Sequence, residues 1–404
     1  MFRSLPAAGH RLPFGPTLRA LVPSGSRSNP WLASGLVTPR ALTTRSGTAA
    51  LVLAFRALKR LRSGRQVVLP AYTCPSVAAA VVRAGLQPVL CDLRPDGFSL
   101  DLERLACVCG PDTLAVVGVH LFGIPEDMEA VRAVTKAHGA FLVEDATQAF
   151  GNKVTDESGS RLLGEIGDVG VWSFGRGKPL SVLSGGAVIA SDSEVAGVLL
   201  SEREVLGREV GFRELAAYGA KLLGYTIFFH PRLFWMVRRL PGLRVGETYF
   251  SLDIELKADL PASGRAAAMA VTRFREIREC RRLLERRYRA ALAQSPAGLA
   301  LPSTREGWDV TLLRFPVVLA DAAWRDRALR TLETMGLGVT GMYPQALDAI
   351  PGLRQYVDGQ GPFPRSASLA RRLLTLPMHE HVTPADVDAI ADAIVRARRA
   401  GATS

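Results

Sequence analysis

Apolar and polar positions alternate along the first half of the chain in blocks that predict strands and helices in turn. Short apolar runs typical of buried strands are separated by longer amphipathic segments typical of helices. The predicted strands are Gln66–Pro70, Pro88–Asp92, Leu114–His120, Ala140–Asp145, Val169–Phe174 and Ala187–Ala190, and the predicted helices are Leu51–Leu61, Pro75–Ala84, Leu100–Cys107 and Glu126–His138. This alternation predicts an α/β fold whose mostly parallel sheet is covered on both faces.

Beyond about residue 265 the pattern becomes that of a small α+β domain. Its predicted elements are one long helix over Ala266–Leu292, a strand over Thr311–Leu319, a helix over Ala322–Met335 and a closing helix over Pro384–Ala400. The long helix is rich in Arg and Glu at i,i+4 spacing. We therefore expect a large domain over residues 41–264 and a small C-terminal domain over residues 265–404.

Two segments do not fit this pattern. The first forty residues are rich in Arg, Ser, Pro and Gly, and no acidic residue precedes Asp92. We expect a flexible N-terminal arm over residues 1–40, with an arginine-rich targeting segment as the alternative. Residues 212–250 form an apolar segment that we interpret as an insertion. Pro231 and several charges within it exclude a membrane-spanning helix. Two interpretations are a buried lid or dimer contact, and a peripheral membrane contact through residues 215–240.

The composition excludes several classes of protein. Of 404 residues, 48% are hydrophobic and 22% charged, as in ordinary globular proteins. The net charge of +12 is spread along the chain, and without a compact basic block among aromatic residues we expect no nucleic-acid partner. The five cysteines have neither disulfide nor zinc-site spacing, so we expect reduced thiols, no metal site and a cytoplasmic location.

One lysine has an unusual setting. Only six of the 50 basic residues are lysines, and arginine cannot lose its proton in a protein. Lys178 lies on a turn with Gly175 and Gly177, between two apolar strands. It is therefore a candidate for Schiff-base formation. The alternative is an ordinary loop lysine.

Two further features support that candidate. Asp145 ends a predicted strand, where functional residues of parallel sheets gather. Ser46, Gly47 and Thr48 precede a predicted helix, whose first amides can hold a phosphate. Each feature alone could be a plain helix cap. Together with Lys178 they match pyridoxal phosphate (PLP) chemistry, which needs an amine for the aldehyde, a carboxylate for the pyridine nitrogen and a phosphate cup.

The chain also resembles the DegT/StrS aminotransferases, which are PLP enzymes of fold type I. The resemblance runs from about Arg45 to Arg396. It rests on Ser46–Leu51, Leu69–Thr73, Ala84–Asp92, Val119–Gly123, Glu144–Ala149, Gly167–Gly170, Ser173–Lys178, Gly185–Gly186 and Leu376–His379. It implies a large PLP-binding domain, a small domain, and a homodimer with the site at the subunit interface.

The resemblance also implies roles for individual residues. Lys178 would be the Schiff-base lysine and proton shuttle. Residues implied at the cofactor are Gly47, Thr48, Ala49, Cys74, Asp145, Gln148, Ser173 and Lys178, and those implied at the substrate are Tyr343 and His379. The substrates would be an amino acid donor, glutamate, and a keto-sugar acceptor that can be nucleotide-linked.

Three departures from the family pattern concern the surroundings of the cofactor. Cys74 occupies the place of the stacking aromatic residue, and Ser263 that of an asparagine that reaches the partner's phosphate. The loop 343–347 replaces a histidine-rich substrate loop. Two alternatives to an aminotransferase remain open. One is a sugar dehydratase, whose relatives replace the lysine by histidine. The other is a non-catalytic scaffold or regulatory protein.

Overall fold

The structure, a computed structural model, describes residues 3–22, 40–95, 97–156, 159–204, 206–207, 210–239, 249–293, 295 and 297–399. Its helices are α1 (Phe14–Leu21), α2 (Gly47–Leu61), α3 (Pro75–Arg83), α4 (Leu102–Val108), α5 (Met128–Ala137), α6 (Ser193–Glu204), α7 (Phe212–Phe228), α8 (Pro231–Arg239), α9 (Pro261–Val271), α10 (Phe274–Leu292), α11 (Ala322–Met335), α12 (Pro364–Arg372) and α13 (Pro384–Arg399). Its strands are β1 (Leu42–Thr44), β2 (Gln66–Pro70), β3 (Gln87–Cys91), β4 (Thr113–Val119), β5 (Phe141–Asp145), β6 (Lys153–Asp156), β7 (Gly159–Leu162), β8 (Val169–Ser173), β9 (Gly186–Ala190), β10 (Leu299–Ala300), β11 (Phe315–Leu319) and β12 (Leu373–Leu376).

A seven-stranded sheet forms the centre of the large domain. Its strand order is β1-β9-β8-β5-β4-β2-β3, and among these strands only β9 runs against its neighbours. Strands β8, β5, β4 and β2 are mutually parallel, so their carboxyl ends meet at one edge of the sheet. The predicted mostly parallel α/β fold is confirmed.

The central strands and α2 are apolar because they are covered on all sides. Every residue of β4 is buried, as expected for a parallel sheet with helices on both faces. Helix α2 buries ten of its fifteen residues and packs against β9, α3 and α6. A helix that is apolar around most of its circumference belongs in a core. This rigid packing fixes the start of α2 at the carboxyl edge of the sheet.

The small domain has its own core around the antiparallel sheet β10-β11-β12. The predicted single helix over 266–292 is wrong, because α9 ends at Val271 and α10 begins at Phe274. The alanines of α9 pack in the large-domain core, whereas Leu284 of α10 packs in the small-domain core. The change of packing partner, together with the β-branched residues at the junction, accounts for the break. The break lies beyond residue 265, and the domain boundary predicted there stays a prediction.

The chain returns to the large domain before it ends. Leu347, Leu353, Val357 and Phe363 are buried in the same core cluster as α2 and the parallel strands. This segment begins directly after the loop that carries Tyr343. The small domain is therefore tied to the large one by a buried segment in addition to the α9–α10 connection.

The prediction of a flexible arm is wrong for residues 3–22. Leu5, His10 and Leu12 are buried, and α1 packs against α7 and α9. The apolar residues of this segment find apolar surfaces from distant parts of the chain, which a local reading of Arg, Ser, Pro and Gly content does not reveal. The rest of the predicted arm, residues 1–2 and 23–39, lies outside the described residues.

The apolar segment 212–250 forms two helices as far as residue 239, and residues 240–248 lie outside the described residues. Pro231 begins α8, a position where its missing N–H costs nothing. Tyr218 and Leu222 of α7 are buried, while Ile227 and Met236 are 45% and 43% exposed. The segment is thus partly packed and partly exposed. No helix among the described residues combines the length and the apolar character needed to cross a bilayer.

Candidate active site

Lys178 lies on the connection between β8 and β9. Backbone hydrogen bonds from Phe174 to Gly185 and from Val182 to Phe174 close this connection at its base. The left-handed φ of +73° at Gly177 turns the chain just before the lysine. The half-buried Lys178 donates from Nζ to the Thr147 hydroxyl at 3.1 Å. The amine is therefore aimed back at the carboxyl edge of the sheet.

Asp145 is the last residue of β5 and is 3% exposed. Its Oδ1 accepts a hydrogen bond from the Thr147 backbone amide at 3.0 Å. The same Thr147 binds Lys178 through its side chain. A buried carboxylate next to the amine is the group that can keep a pyridine nitrogen protonated.

The buried pair His120 and Glu144 stabilises this edge of the sheet, at the ends of β4 and β5. Both side chains are fully buried, and His120 Nε2 donates to Glu144 Oε1 at 2.8 Å, because His120 Nδ1 accepts from the Glu126 amide. Burial raises the pKa of Glu144, but the hydrogen bonds from His120 and from backbone amides bring its pKa below the ordinary value. The anionic carboxylate thereby fixes β5 one residue before Asp145.

The phosphate cup forms where α2 begins. Ser46 caps the helix by accepting from the Ala49 amide at 3.1 Å. A Cβ added to Gly47 would lie 2.7 Å from the Cβ of Ser173 and 3.4 Å from Thr147 Cγ2. The start of α2, the end of β8 and the lysine's partner Thr147 thus converge. Thr48 and Ala49 follow in the first helical turn, where backbone amides are available to an anion.

Gln148 and Tyr343 close the opposite side of the site. Gln148 Oε1 accepts from the Phe122 amide at 3.1 Å, and its Nε2 donates to the Tyr343 hydroxyl at 3.3 Å. Tyr343 is buried, and its ring meets Tyr72 edge to face at a centroid distance of 5.7 Å. Burial, the Cys74 thiol and nearby charges raise the pKa of Tyr343 well above its usual value, so its hydroxyl stays protonated.

Cys74 lies at the start of α3, and its thiol interacts with the Tyr343 hydroxyl. The thiol therefore lies beside Tyr343, and the role of Cys74 at the cofactor ring stays a prediction. Tyr72 and Tyr343 supply the aromatic surface next to it. Ser263 is fully buried in α9, and its hydroxyl donates to the Leu260 carbonyl at 2.7 Å.

The residues fit PLP. Gly47 leaves open a cradle that a side chain would fill against Ser173, and the buried Thr73 hydroxyl, at the carboxyl end of β2, has no hydrogen-bond partner among the described residues. When bound, PLP withdraws electrons from the carbon that carries the amino group. Lys178 would hold its aldehyde carbon, Asp145 its ring nitrogen, and Ser173 with the first turn of α2 its phosphate. The described residues include no cluster suited to a metal ion.

His379 contacts the N-terminal segment and the end of α7. His379 Nε2 donates to the Pro6 carbonyl at 2.8 Å, and its ring packs against Phe229. Burial lowers the pKa of His379 to about 4. The role of His379 as a substrate residue stays a prediction, and its observed partner is the N-terminal segment.

Sequence reasoning missed three side chains close to the site: Thr147, His10 and Arg314. Thr147 could be found from its place in the motif after Asp145. His10 reaches the turn that carries Lys178 only because the fold brings together residues that are 171 positions apart. Half-buried Arg314 donates to the hydroxyls of Thr340 and Thr375, and no local pattern marks it.

The fold and this arrangement of lysine, carboxylate and phosphate cup define a PLP-dependent transferase of fold type I. The chain belongs to the DegT/DnrJ/EryC1/StrS aminotransferase family, whose family model matches residues 32–227 and 263–395. It is therefore an aminotransferase of a sugar-aminotransferase family, and its cofactor is PLP. The predicted family, fold, enzyme class and cofactor are confirmed, while the roles of individual residues stay predictions.

Two curated relatives are similar over most of the chain. The chain is 28% identical over 358 residues to UDP-N-acetyl-3-dehydro-alpha-D-glucosamine 3-aminotransferase of Acidithiobacillus ferrooxidans, covering 87% of this chain and 82% of the relative. It is 29% identical over 358 residues to dTDP-3-amino-3,4,6-trideoxy-alpha-D-glucose transaminase of Streptomyces venezuelae, covering 88% and 82%.

Solved structures show the same fold. Helicobacter pylori PseC, an aminotransferase involved in the biosynthesis of pseudoaminic acid, matches with a TM-score of 0.77 at 16% identity, over 98% of this chain and 100% of that chain. DesV of S. venezuelae matches with a TM-score of 0.71 at 24% identity, over 96% and 98%.

Proposed function

We propose that the protein transfers an amino group from an amino acid, glutamate, to the keto group of a sugar. The observation that carries this proposal is the position of Lys178, whose Nζ lies 3.1 Å from Thr147 Oγ1, while the Thr147 amide binds Asp145. The Lys178 amine and the buried Asp145 carboxylate are thus bound to the same threonine. Lys178 would move the proton between the substrate carbon and the cofactor carbon.

Replacement of Lys178 tests this function. Lys178→Ala should lose transamination of every acceptor, and the visible absorbance of its bound cofactor should change. Lys136→Ala, which alters an exposed lysine of α5, serves as the matched control and should behave as wild type. Transamination by Lys178→Ala would refute the assignment. A wild-type protein that binds no PLP would support the scaffold alternative.

The proposed donor is supported by a cation without an acidic partner. Arg314 donates to Thr340 Oγ1 at 3.1 Å, and no carboxylate of the described chain forms an ion pair with it. Burial lowers the pKa of Arg314 to about 10, and Tyr343 and Tyr72 lie close enough to affect it. The guanidinium stays charged at neutral pH and suits a carboxylate of the donor.

The donor can be tested separately from the acceptor. Arg314→Leu should raise the KM for glutamate by about tenfold or more, equivalent to about 1.4 kcal/mol, and change the KM for the acceptor little. Arg330→Leu, at an exposed position of α11, is the control. An unchanged KM for glutamate in Arg314→Leu would remove this arginine from donor binding.

The proposed acceptor is a keto-sugar, which can be linked to a nucleotide. Two relatives are named for UDP- and dTDP-linked sugars, which supports that class. The loop after Tyr343 departs from the family pattern, so the identity of the sugar has to be determined by experiment. A screen of UDP- and dTDP-linked keto-sugars beside the free sugars, with glutamate as donor, would identify it. Activity with none of them would exclude this substrate class.

We further propose a homodimer, as the family resemblance implies, acting in the cytoplasm. All five cysteines lie among the described residues and are free, which suits a reducing compartment. Sedimentation equilibrium of the holoenzyme would give the molecular mass directly. A mass near that of one chain at micromolar concentration would rule out a stable dimer.

A peripheral membrane contact through residues 215–240 is the second proposal about partners. Exposed Ile227 and Met236 lie near exposed Arg232 and Arg239, a combination that suits an anionic lipid surface. Co-sedimentation with anionic liposomes at low salt tests it. Binding should fall in Met236→Glu, and failure of the wild-type protein to co-sediment would remove the proposal.

A further inference from the structure

Two side chains from distant parts of the chain hold the turn that carries Lys178. His10 Nε2 accepts a hydrogen bond from the Ser181 amide at 2.8 Å. Arg281 of α10 donates from Nη1 to the Pro179 carbonyl at 3.1 Å. The backbone just after the lysine is thus bound from the N-terminal segment (residues 3–12) and from the small-domain helix.

His10 is itself held rigidly. It is 1% exposed, its amide donates to the Tyr225 hydroxyl at 3.3 Å, and that hydroxyl donates to the His10 carbonyl at 2.9 Å. Because Nε2 accepts from Ser181, the ring proton is on Nδ1, which lies 3.3 Å from the Arg11 carbonyl. Burial and the charge of Arg281 lower the pKa of His10 to about 4, so the ring is neutral at physiological pH.

The rest of the N-terminal segment is anchored to the small domain and its neighbours. Arg3 forms a bidentate pair with Asp386, at 2.6 and 2.7 Å. The Leu5 amide donates to the Gly336 carbonyl at 2.7 Å, and the Pro6 carbonyl accepts from His379. These contacts all precede His10 in the chain. They fix the ring independently of the lysine turn.

Arg281 is 2% exposed and directs two of its donor nitrogens to carbonyl groups rather than to a carboxylate, while its buried Nη2 has no hydrogen-bond partner among the described residues. Nη1 reaches Pro179, and Nε donates to the Met378 carbonyl at 3.2 Å. Glu380 acts on it electrostatically, while burial lowers the pKa of Arg281 to about 10. A buried guanidinium is costly unless its geometry serves the fold or the site. Here it joins the lysine turn to the turn that precedes α13.

We propose that His10 and Arg281 are positioning residues for transamination, which hold residues 179–181 so that the Lys178 amine stays in place at Thr147. This inference rests on the proposed role of Lys178. Both side chains bind the backbone of residues 179–181, so they act on Lys178 through that backbone. Removing either should let the amine sample other rotamers, and small displacements of reacting groups are costly for rate.

The experiment compares His10→Ala, His10→Gln, Arg281→Met and Arg281→Lys in the holoenzyme. His10→Ala and Arg281→Met should lower kcat by about tenfold or more, leave the KM values within about twofold, and shift the pH at which the cofactor absorbance changes. His10→Gln should restore much of the loss, because glutamine places an oxygen acceptor near the position of Nε2. His138→Ala and Arg286→Met, at exposed positions, are the controls.

A second measurement does not need the cofactor or the acceptor. Amide hydrogen exchange of the peptide covering residues 174–185 should be faster in His10→Ala than in wild type, and His10→Gln should restore protection. The proposal is overturned if folded His10→Ala keeps wild-type kcat, absorbance and exchange. It is also overturned if His10→Gln is as impaired as His10→Ala. If Arg281→Met does not fold, Arg281→Lys and the His10 pair decide.

The two proposals fail in different ways. If Lys178→Ala remains active, the proposed function is wrong whatever the positioning variants do. If Lys178→Ala is inactive while the positioning variants match wild type, only the positioning role is wrong. Accelerated exchange in His10→Ala with unchanged kcat would show a structural contact without a catalytic consequence, and would likewise overturn the positioning role.

Discussion

The side chains of this site are held in place by contacts with the backbone as well as by charge. Lys178 and Asp145 are candidates from residue type and position alone, whereas Gln148 is a candidate only through the family resemblance. The structure brings Lys178 and Asp145 together at Thr147, and the roles of all three stay predictions. Thr147, which binds both the lysine and the aspartate, could be placed in the motif but not given its role. His10 could not be predicted at all, because only tertiary packing brings it to the lysine turn.

Gly47→Ala tests the close approach at the phosphate cup. The new methyl group would lie 2.7 Å from the Ser173 Cβ and 3.0 Å from its Oγ, so Ser173 or α2 must shift. We expect PLP affinity to fall by about tenfold or more, equivalent to about 1.4 kcal/mol, measured by titration of the apoenzyme. Gly224→Ala in α7, where nothing lies within 4 Å of the new methyl, should bind PLP normally. Equal affinity of both variants would contradict the cup.

Glu144→Gln tests the buried support of β5. The carboxylate accepts from the amides of Gly164, Ile166 and Gly167 at 2.7, 2.7 and 2.8 Å. A glutamine would turn an N–H₂ group toward these donors, and we expect a loss of about 2–4 kcal/mol in unfolding free energy, measured by urea denaturation.

The same carboxylate predicts a dependence of stability on pH. Because the pKa of Glu144 is lower in the folded protein than its ordinary value, its stabilisation is present above the unfolded pKa and is lost as the pH falls through the folded pKa. Glu144→Gln should remove this part of the acid sensitivity. A variant with the wild-type stability and pH profile would show that Glu144 has no such role.

At the scale of elements, strands and helices of the large domain were predictable because each follows a local period. The break between α9 and α10 was not, since α10 changes its packing partner without a Pro or Gly. The order in the N-terminal segment was not predictable either. Its partners are distant in the sequence, since the His10 ring binds the Ser181 amide and the Leu5 amide binds the Gly336 carbonyl.

The N-terminal segment should make stability depend on mildly acidic pH. The pKa values of His10 and His379 are both lowered to about 4 by burial. Each ring must be neutral to accept its hydrogen bond, which comes from the Ser181 amide for His10 and from the His381 amide for His379. The folded state therefore binds fewer protons than the unfolded state between about pH 4 and the ordinary histidine pKa of about 6.5. Stability should be full above this window and fall as the pH falls through it.

Thermal midpoints across pH 4 to 7 check this expectation. His10→Gln cannot be protonated, so its midpoint should fall less steeply with acid than that of wild type. The groups that act on His10 are Arg281, Arg273 and Glu380, and their charges favour the neutral ring on balance. Parallel profiles for wild type and His10→Gln would contradict the assignment to His10.

At the scale of the whole molecule, the two domains are not independent bodies. Residues 347–363 belong to the second half of the sequence, yet Leu353 is fully buried in the large-domain core. Leu353→Ala should cost about 2–5 kcal/mol and shift the unfolding of both domains together. Urea transitions followed by cofactor absorbance and by far-ultraviolet circular dichroism should coincide. Leu283→Ala, whose side chain is 59% exposed, should have little effect.

The position of the N-terminal segment has a consequence for how the protein is made. Arg3, Leu5 and Pro6 are translated long before their partners Asp386, Gly336 and His379. The lysine turn can therefore have its large-domain neighbours long before the segment that holds His10 is fully anchored. The anchor of this segment at Asp386 is translated 383 positions after Arg3, so a nascent chain that lacks Asp386 would hold the lysine turn without this support.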